Sequence, residues 1–350
     1  MVHLFIVGNG FDIHHGLKTR YTDFAEYLKS AEPALHQLFS RFFYEMHKSY
    51  DWDVPNCLDA DHFVYDRWRD FEESLGRLDE DDYINISQEN ISEYHEKIGM
   101  SEQLVDQFVS ETSRILGVFR GWVLSIDIIN SSRKEFSFND DIYFVNFNYT
   151  ETLEFFYSVD NKKIFYIHGR RQTNDKLIVG HAVSPPTPQS KHDLPDYQFN
   201  PYYGYLRLTK KPVDEINECF KSWLAVLPVV EKITVCGHSL GFVDVAYFET
   251  INASNPDAEW RFSYFSDDDL TSISNLINHL HLRDEQIIAV APIIEFEINP
   301  STSRDDRCLS QVIPLTIMLT DLTELLLPPK RAIYRKTPPK RGSLLGLLGH

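Results

Sequence analysis

A serine in the second half of the chain stands in a pattern that suits a nucleophile. The segment ITVCGHSLG, residues 233–241, carries Ser239 within a G-x-S-x-G motif directly after an apolar, β-branched run. Serine hydrolases of the α/β type present their nucleophile on such a turn between a strand and a helix. An acid at 267–269 and a base at His279 or His281 would follow in the order that such a triad requires. The same segment equally suits a loop in which a small residue lies beside a bound ligand.

A glycine-rich motif follows the first apolar run of the chain. Residues 8–17 read GNGFDIHHGL and come directly after HLFIV. A G-x-G turn after the first strand of an α/β protein lets the backbone approach a pyrophosphate, whose charge the following amides accept. The dehydrogenase fingerprint would require a third glycine where Ile13 stands. The motif therefore predicts either a phosphate-binding turn or a plain tight turn, in which Asp12 caps the next helix or accepts a ribose hydroxyl.

Two polar side chains follow other apolar runs. Asn148 comes after IYFVNF, and His168 comes after KIFYI and precedes Gly169. Open α/β sheets bind their ligands at the carboxyl ends of the strands. An asparagine amide there can orient a water or a sugar hydroxyl, and a histidine can act as a general base near neutral pH. Their joint placement therefore indicates that Asn148 and His168 belong to a functional site, although either could instead be a turn or structural residue.

These motifs require strands that end at one edge of a sheet. Short apolar runs predict strands at 3–7, 142–147, 163–167, 176–180, 232–237 and 261–265. Helical periodicity predicts helices near 21–29, 150–157, 213–228, 244–252 and 269–281. Strands that alternate with helices are typical of a mostly parallel sheet flanked by helices. Because the second strand comes only near residue 142, and an apolar stripe from Leu104 to Val123 precedes it, we predict a Rossmann-like α/β fold with a large helical insertion after the first strand.

Composition and charge exclude several classes of protein. The 52 acidic and 34 basic side chains give a net charge of -18, which argues against a nucleic-acid binder, since such proteins need clustered basic residues. The four cysteines form no C-x-x-C pair and no H-E-x-x-H occurs, so we expect neither disulfides nor a metal site. No apolar run reaches the roughly 20 residues of a membrane span, and no signal peptide precedes the first strand. We expect a cytoplasmic protein that binds no membrane.

The motifs together resemble a known family. GNGFDIHHGLKTRYTDF, FNYT, HGR and GHSL are similar to the motifs of the AbiH family of bacteriophage abortive-infection proteins. Their order also resembles that of the sirtuin-like NAD-binding superfamily, which carries a glycine loop, an asparagine motif, a catalytic His-Gly and G-[ST]-S-L. Asp12 and Thr150 depart from the sirtuin pattern, and the C-x-x-C pairs of the sirtuin zinc module are missing from the sequence. The resemblance therefore does not imply protein deacetylation.

The resemblance implies a nucleotide-binding domain and a set of site residues. The sirtuin-like domain would comprise 1–29 and 129–300, with the helical insertion at 30–128 and a basic, partly disordered C-terminal extension at 301–350. Asn148 would orient a water or the ribose, and His168 would be the general base. The residues expected to bind NAD are Gly8, Asn9, Gly10, Phe11, Asp12, Gly16, Gly169, Gly237, His238, Ser239 and Asp244.

The activity implied in this way is cleavage of the nicotinamide–ribose bond of NAD during phage defence. Two alternatives stay open: a serine hydrolase that uses Ser239, and a non-catalytic sensor that binds NAD or ADP-ribose. NAD hydrolysis and ADP-ribosyl transfer are not distinguished, because both would use the same site. The expected partners are a small-molecule nucleotide, a phage-derived trigger and a second copy of the chain, with the helical insertion as the candidate region for the last two.

Overall fold

Six parallel strands form the centre of the protein. The computed structural model describes residues 2–50, 60–77, 110, 114–173, 175–184 and 201–296. The strands are β1 Val2–Val7, β2 Ile142–Asn146, β3 Ile164–Tyr166, β4 Val230–Cys236, β5 Glu259–Tyr264 and β6 Ile287–Pro292. They pair in the order β3-β2-β1-β4-β5-β6, and each pair is parallel. This is the strand order of the doubly wound dinucleotide-binding fold. The prediction of a parallel, Rossmann-like α/β sheet is confirmed.

Helices cover both faces of the sheet. Their bounds are α1 Asn9–His14, α2 Tyr21–Ala31, α3 Pro33–Tyr50, α4 Ala60–Arg69, α5 Phe71–Arg77, α6 114–125, α7 Thr152–Tyr157, α8 Pro201–Thr209, α9 Val213–Leu224, α10 Val245–Ser254 and α11 Asp267–Leu280. Along β1, Leu4 and Ile6 pack on the side of α9, α10 and α11, whereas Phe5 and Val7 pack on the side of α1 and α7. Successive residues of a strand point to opposite faces, so a strand that is buried on both faces is a continuous apolar run. None of the described helices is both long enough and apolar enough to cross a membrane.

One predicted strand is wrong and one strand was missed. Residues 176–180 form no strand; this segment is held by single hydrogen bonds, such as that from the Ile178 N–H to the His168 carbonyl (3.0 Å). β6 lies at the edge of the sheet, where the strand is half exposed and a terminal proline is tolerated.

The region between β1 and β2 is helical, as predicted, and has an apolar core of its own. Phe24 of α2 and Trp68, Phe71, Phe119 and Trp122 of the later helices stack and cross at centroid distances of 5.2 to 6.2 Å. Of the described members of the predicted stripe, Ile115, Phe119 and Val123 are buried and Leu116 is half-buried; the earlier members lie outside the described residues. The predicted extension at 301–350 also lies outside them, and the domain boundaries stay predictions.

Arg171 connects this helical region to the loop that follows β3. It lies in the loop after β3 and is almost fully buried. Its guanidinium forms an ion pair with Glu151 at 2.9 Å and donates to the carbonyl oxygens of Val123 and Ile126 at the end of α6. A buried guanidinium needs all of these acceptors, because an unpaired charge in the interior is costly. The loop after β3 and the end of α6 are thereby held together.

Two glycine loops pack against each other at the carboxyl ends of β1 and β4. The Gly10 N–H donates to the Gly237 carbonyl at 2.6 Å, and the Gly8 N–H donates to the Cys236 carbonyl at 3.1 Å. A Cβ atom on Gly8 would lie 2.5 Å from the His238 Cα, and one on Gly237 would lie 2.3 Å from the Phe11 N. Gly237 also has a positive φ of 66°. The glycines are therefore required by the contact between the two loops.

We expect Gly237→Ala to destabilise the fold by at least about 2 kcal/mol, because alanine would combine a left-handed backbone with overlap against α1. Chemical denaturation measures the change. The matched control is Gly117→Ala on the exposed face of α6, where a Cβ meets nothing within 4 Å. That substitution should stabilise the protein by about 0.5–1 kcal/mol. Equal stability of the two variants would contradict the contact.

Candidate functional site

The predicted site residues meet in a cavity at the carboxyl ends of β1, β2 and β4. In the 3-2-1-4-5-6 order, the chain runs from β1 outward to β3 and then crosses back to β4 on the other side of β1, and ligands bind at this switch point between β1 and β4. The cavity holds about 100 Å³. The sequence motifs contribute Asn9, Asp12, Asn148, His168, His238, Ser239 and Asp244 to its wall. The helical region contributes Tyr21, Glu72, Trp122 and Ile126.

A fully buried lysine lies behind this wall. Lys211, between α8 and α9, has no exposed surface. Its Nζ lies 3.0 Å from Glu72 Oε2, 3.2 Å from His168 Nε2 and 3.3 Å from Asp244 Oδ1. Glu72 of α5 uses its second oxygen to accept the Gly180 N–H at 3.1 Å. The helical region thus takes part in the polar network around the predicted base.

Asp244 and the Lys211 ammonium hold each other in the charged form. Burial opposes ionisation of Asp244, but the Lys211 charge holds the pKa of Asp244 well below its usual range. Burial likewise opposes protonation of Lys211, but Asp244 and Glu72 raise its pKa above the ordinary value. Opposite charges within about 4 Å favour the charged forms of both partners. The Lys211 ammonium thus faces two carboxylates, those of Glu72 and Asp244. Of these three residues, only Asp244 was among the predicted site residues.

The two site histidines flank Asp244. His168 Nε2 lies 3.5 Å from Asp244 Oδ1, and His238 Nε2 lies 3.6 Å from Asp244 Oδ2. Burial lowers the pKa of His238 to about 4, so that this ring is neutral at physiological pH. His238 Nδ1 accepts the Leu240 N–H at 2.9 Å. Phe147 packs edge-on against both rings, with centroid distances of 5.6 Å to His168 and 4.3 Å to His238.

Asn148 links β2 to the glycine loop. Its Nδ2 donates to the Gly8 carbonyl at 2.9 Å, and its backbone N–H donates to Asn146 Oδ1 at 2.8 Å. The side chain is buried but reaches the cavity wall. The predicted catalytic asparagine therefore also has a structural bond, which fixes the position of its amide relative to β1.

Asp12 is buried beneath the cavity and does not cap a helix. Its carboxylate accepts hydrogen bonds from the hydroxyls of Thr150, on one oxygen, and Thr152, on the other at 2.7 Å. Burial raises the pKa of Asp12 to about 6, although these two hydroxyls oppose the rise. Thr150, the departure from the sirtuin pattern noted above, is thus one of the two donors to Asp12.

The remaining predicted ligand residues have structural roles. The Phe11 N–H donates to the Gly8 carbonyl, and the Gly10 N–H is used between the loops. Gly16 has a φ of 87° and ends α1, where its N–H donates to the Ile13 carbonyl at 2.9 Å. Gly169 has a φ of 79° and lies against the Lys176 carbonyl. These contacts neither require nor exclude a bound phosphate.

Comparison with known proteins identifies the chain. The family model described as "Bacteriophage abortive infection AbiH" matches residues 4–264, which is most of the chain. The chain belongs to the AbiH family. It is thus an abortive-infection protein of phage defence. The AbiH match contains β1 to β5, the helical region and every residue of the site described above, whereas β6 lies beyond it. No curated protein matches the chain.

The AbiH fold does not assemble the serine hydrolase triad. Ser239 is exposed at the cavity. In an α/β-hydrolase the nucleophilic serine lies on a strained turn. Here the positive φ angles of the turn belong to Gly237 and Leu240 and not to Ser239. Asp269 accepts the backbone N–H of Ser266 at the start of α11. His279 lies near the opposite end of this 14-residue helix, about 15 Å from Asp269 at 1.5 Å per residue, and pairs with Glu249 at 2.7 Å.

Sequence patterns missed Lys211 and Glu72. Lys211 is the second of two adjacent lysines, and Glu72 is the first of two adjacent glutamates. In each pair the neighbour lies nearer to solvent: Lys210 bonds Ser184 at an exposed position, and Glu73 pairs with Arg77 on the surface. Each pair resembles an ordinary stretch of surface charge. A clue for Glu72 was its place next to Phe71 in the apolar repeat of α5.

We expect Asp12→Asn to change how the stability of the AbiH protein depends on pH. The folded-state pKa of about 6 lies above the ordinary 3.8, so protonation of Asp12 favours the folded state. The wild type should lose up to about 3 kcal/mol at this residue as pH rises from 4 to 7, and the variant should not. Denaturation curves across that range measure the difference. Asp141→Asn, at an exposed position, is the control, and parallel pH dependences of wild type and Asp12→Asn would refute the assignment.

Proposed function

We propose that this AbiH protein is an abortive-infection effector that hydrolyses NAD at the nicotinamide–ribose bond. The order of its motifs, which resembles that of the sirtuin-like superfamily, supports this activity. So does the convergence of those motifs on one cavity at the switch point of a doubly wound sheet. Loss of NAD in an infected cell would stop phage replication, which is the outcome of abortive infection.

The observation that carries the proposal is the buried excess of negative charge at Asp244. Glu72 and Asp244 bring two carboxylates to Lys211, which offsets one of them. In the proposed reaction, positive charge moves from the nicotinamide ring nitrogen to the ribose as the bond between them breaks. A fixed carboxylate in a buried site stabilises such developing positive charge. Asp244 lines the cavity and is therefore the residue that we assign to this task.

Aromatic side chains of the cavity suit the same substrate. Tyr21, Trp122, Phe147 and Tyr149 line it. Aromatic faces attract cations, and the nicotinamide ring of NAD is positively charged. The cavity of about 100 Å³ is smaller than the roughly 300–1,000 Å³ of typical ligand pockets. We therefore propose that the nicotinamide end enters the cavity and that the rest of the dinucleotide extends past Asn9 and Ser239.

His168 and Asn148 keep the roles that the family resemblance implies. His168 Nε2 would take a proton from the attacking water, and Asp244 Oδ1, 3.5 Å away, would stabilise the imidazolium that forms. Asn148 Nδ2 is bonded to Gly8, so its Oδ1 is the atom that would accept a hydrogen bond from the water or a ribose hydroxyl.

A non-catalytic sensor of NAD or ADP-ribose is the second candidate function. It is favoured by the Lys211 contact, which occupies His168 Nε2, and by the use of the Gly10 and Phe11 amides within the protein. A ligand that binds only the folded state raises its stability by mass action. Such a protein would melt at a higher temperature with NAD and would release no nicotinamide.

We expect the purified full chain to release nicotinamide from NAD, as measured by chromatography. His168→Ala should slow release by about 10²–10⁴-fold, the usual contribution of a general base, and Asn148→Ala should also impair it. His279→Ala is the control, because this exposed histidine lies at the far end of α11 and belongs only to the hydrolase alternative. Equal rates in wild type and His168→Ala would refute the assignment.

The products and one further probe separate the alternatives. Free ADP-ribose indicates hydrolysis, whereas ADP-ribose attached to protein or to another acceptor indicates transfer. A rise in melting temperature with NAD, without nicotinamide release, indicates the sensor. Labelling of Ser239 by a fluorophosphonate would support the serine hydrolase.

A further inference from the structure

The contacts of Lys211 determine which nitrogen of His168 carries a proton. A lysine ammonium has three hydrogen atoms to donate and accepts none. Lys211 Nζ has three neighbours within 3.3 Å: Glu72 Oε2, Asp244 Oδ1 and His168 Nε2. If Nε2 carried a proton, two hydrogen-bond donors, His168 Nε2 and Lys211 Nζ, would face each other at 3.2 Å. His168 Nε2 must therefore present its lone pair to Lys211.

The second ring nitrogen of His168 leads to the same assignment. Nδ1 lies 3.1 Å from the Phe147 carbonyl oxygen, which can only accept a hydrogen bond. Nδ1 therefore carries the ring proton. The ring is buried between the backbone on one side and the ammonium on the other, and its faces contact Phe147 and Tyr149. Both contacts select the Nδ1–H tautomer.

His238 provides an internal comparison on the other side of Asp244. Its Nδ1 accepts the Leu240 N–H, so the proton of the neutral ring lies on Nε2 and faces Asp244 Oδ2. The two histidines therefore have opposite tautomers on either side of one carboxylate. A backbone amide sets the tautomer of His238, whereas a backbone carbonyl and Lys211 together set that of His168.

We propose that Lys211 is a positioning residue that donates to His168 Nε2 and thereby keeps this nitrogen unprotonated. A general base has to be unprotonated before it acts, and a histidine beside a buried carboxylate without a neighbouring cation would gain a second proton. The role in catalysis rests on the proposed function above. The tautomer of His168 rests on the contacts alone.

The test is nuclear magnetic resonance of the full chain labelled with ¹⁵N at histidine. Two-bond and three-bond ¹H–¹⁵N correlations at pH 7 distinguish the protonated from the unprotonated nitrogen of each ring. His168→Gln and His238→Gln identify the two rings by the loss of their signals. In the wild type we expect His168 to be protonated at Nδ1 only and His238 at Nε2 only.

Substitution of Lys211 should change only the first of these states. In Lys211→Met, His168 should be protonated at both nitrogens, because Asp244 and Glu72 lose their cation and Nε2 loses its donor. Lys211→Arg keeps a charged group that only donates, so His168 should keep its single proton. Lys210→Met is the matched control, since the adjacent Lys210 bonds Ser184 at an exposed position.

Two results would overturn the proposal: a wild-type His168 that is protonated at Nε2, or a Lys211→Met variant with an unchanged His168. If circular dichroism shows that Lys211→Met does not fold, the wild-type and Lys211→Arg spectra still decide. In the nicotinamide assay, Lys211→Met should lower kcat by about tenfold or more while the KM for NAD stays close to the wild-type value. An equal kcat would refute the catalytic role, whereas a wild type that releases no nicotinamide would refute the proposed function and leave the tautomer result intact.

Discussion

The buried ammonium of Lys211 is the interaction on which the arrangement of the site depends. An unpaired charge in a protein interior is costly, so Lys211 requires acceptors on every side. These come from three distant parts of the chain: Glu72 from the helical region, His168 from the loop after β3 and Asp244 from the turn after β4. Their convergence fixes the helical region, both halves of the sheet and the segment between α8 and α9 relative to one another. Loss of any one acceptor would leave a buried charge without its partner.

The helical region is therefore part of the site as well as a cover for the sheet. Glu72 holds Lys211, Tyr21 and Trp122 line the cavity, and Arg171 joins the end of α6 to the loop after β3. A movement of α5 would displace the carboxylate of Glu72, which contacts Lys211, and Lys211 in turn contacts His168. The helical region is thus connected to the predicted base through side chains that touch.

The general fold could be predicted from the sequence because its signals are local. Strands buried on both faces are apolar runs, and alternation with helices implies parallel pairing, so β1 to β5 and the site edge were predicted correctly. The edge strand β6 was missed because it is half exposed, and residues 176–180 resemble a strand but serve as a loop that reaches Glu72. Asn148 and His168 were recognised as residues that follow strands, and Asp244 was named through the family resemblance. Lys211 and Glu72 were not, because burial of a charge depends on contacts between residues more than a hundred positions apart. The glycine loop after β1 was predicted to be a phosphate-binding turn or a plain tight turn, and the contact of its glycines with the second loop was not predicted.

The position of β1 affects how the chain folds as it is synthesised. β1 is made first, yet it lies in the middle of the sheet between β2 and β4, and its second neighbour, Val230–Cys236, is made last of the three. At about 5–20 residues per second, a ribosome needs roughly 10–45 s to extend the chain from β1 to β4. For that interval an apolar strand of the protein has at least one uncovered edge, which is the kind of surface that aggregates or recruits chaperones. The same delay separates the synthesis of the glycine loop from that of Asp244, so a nascent chain cannot contain the complete charged cluster before most of the sheet has emerged.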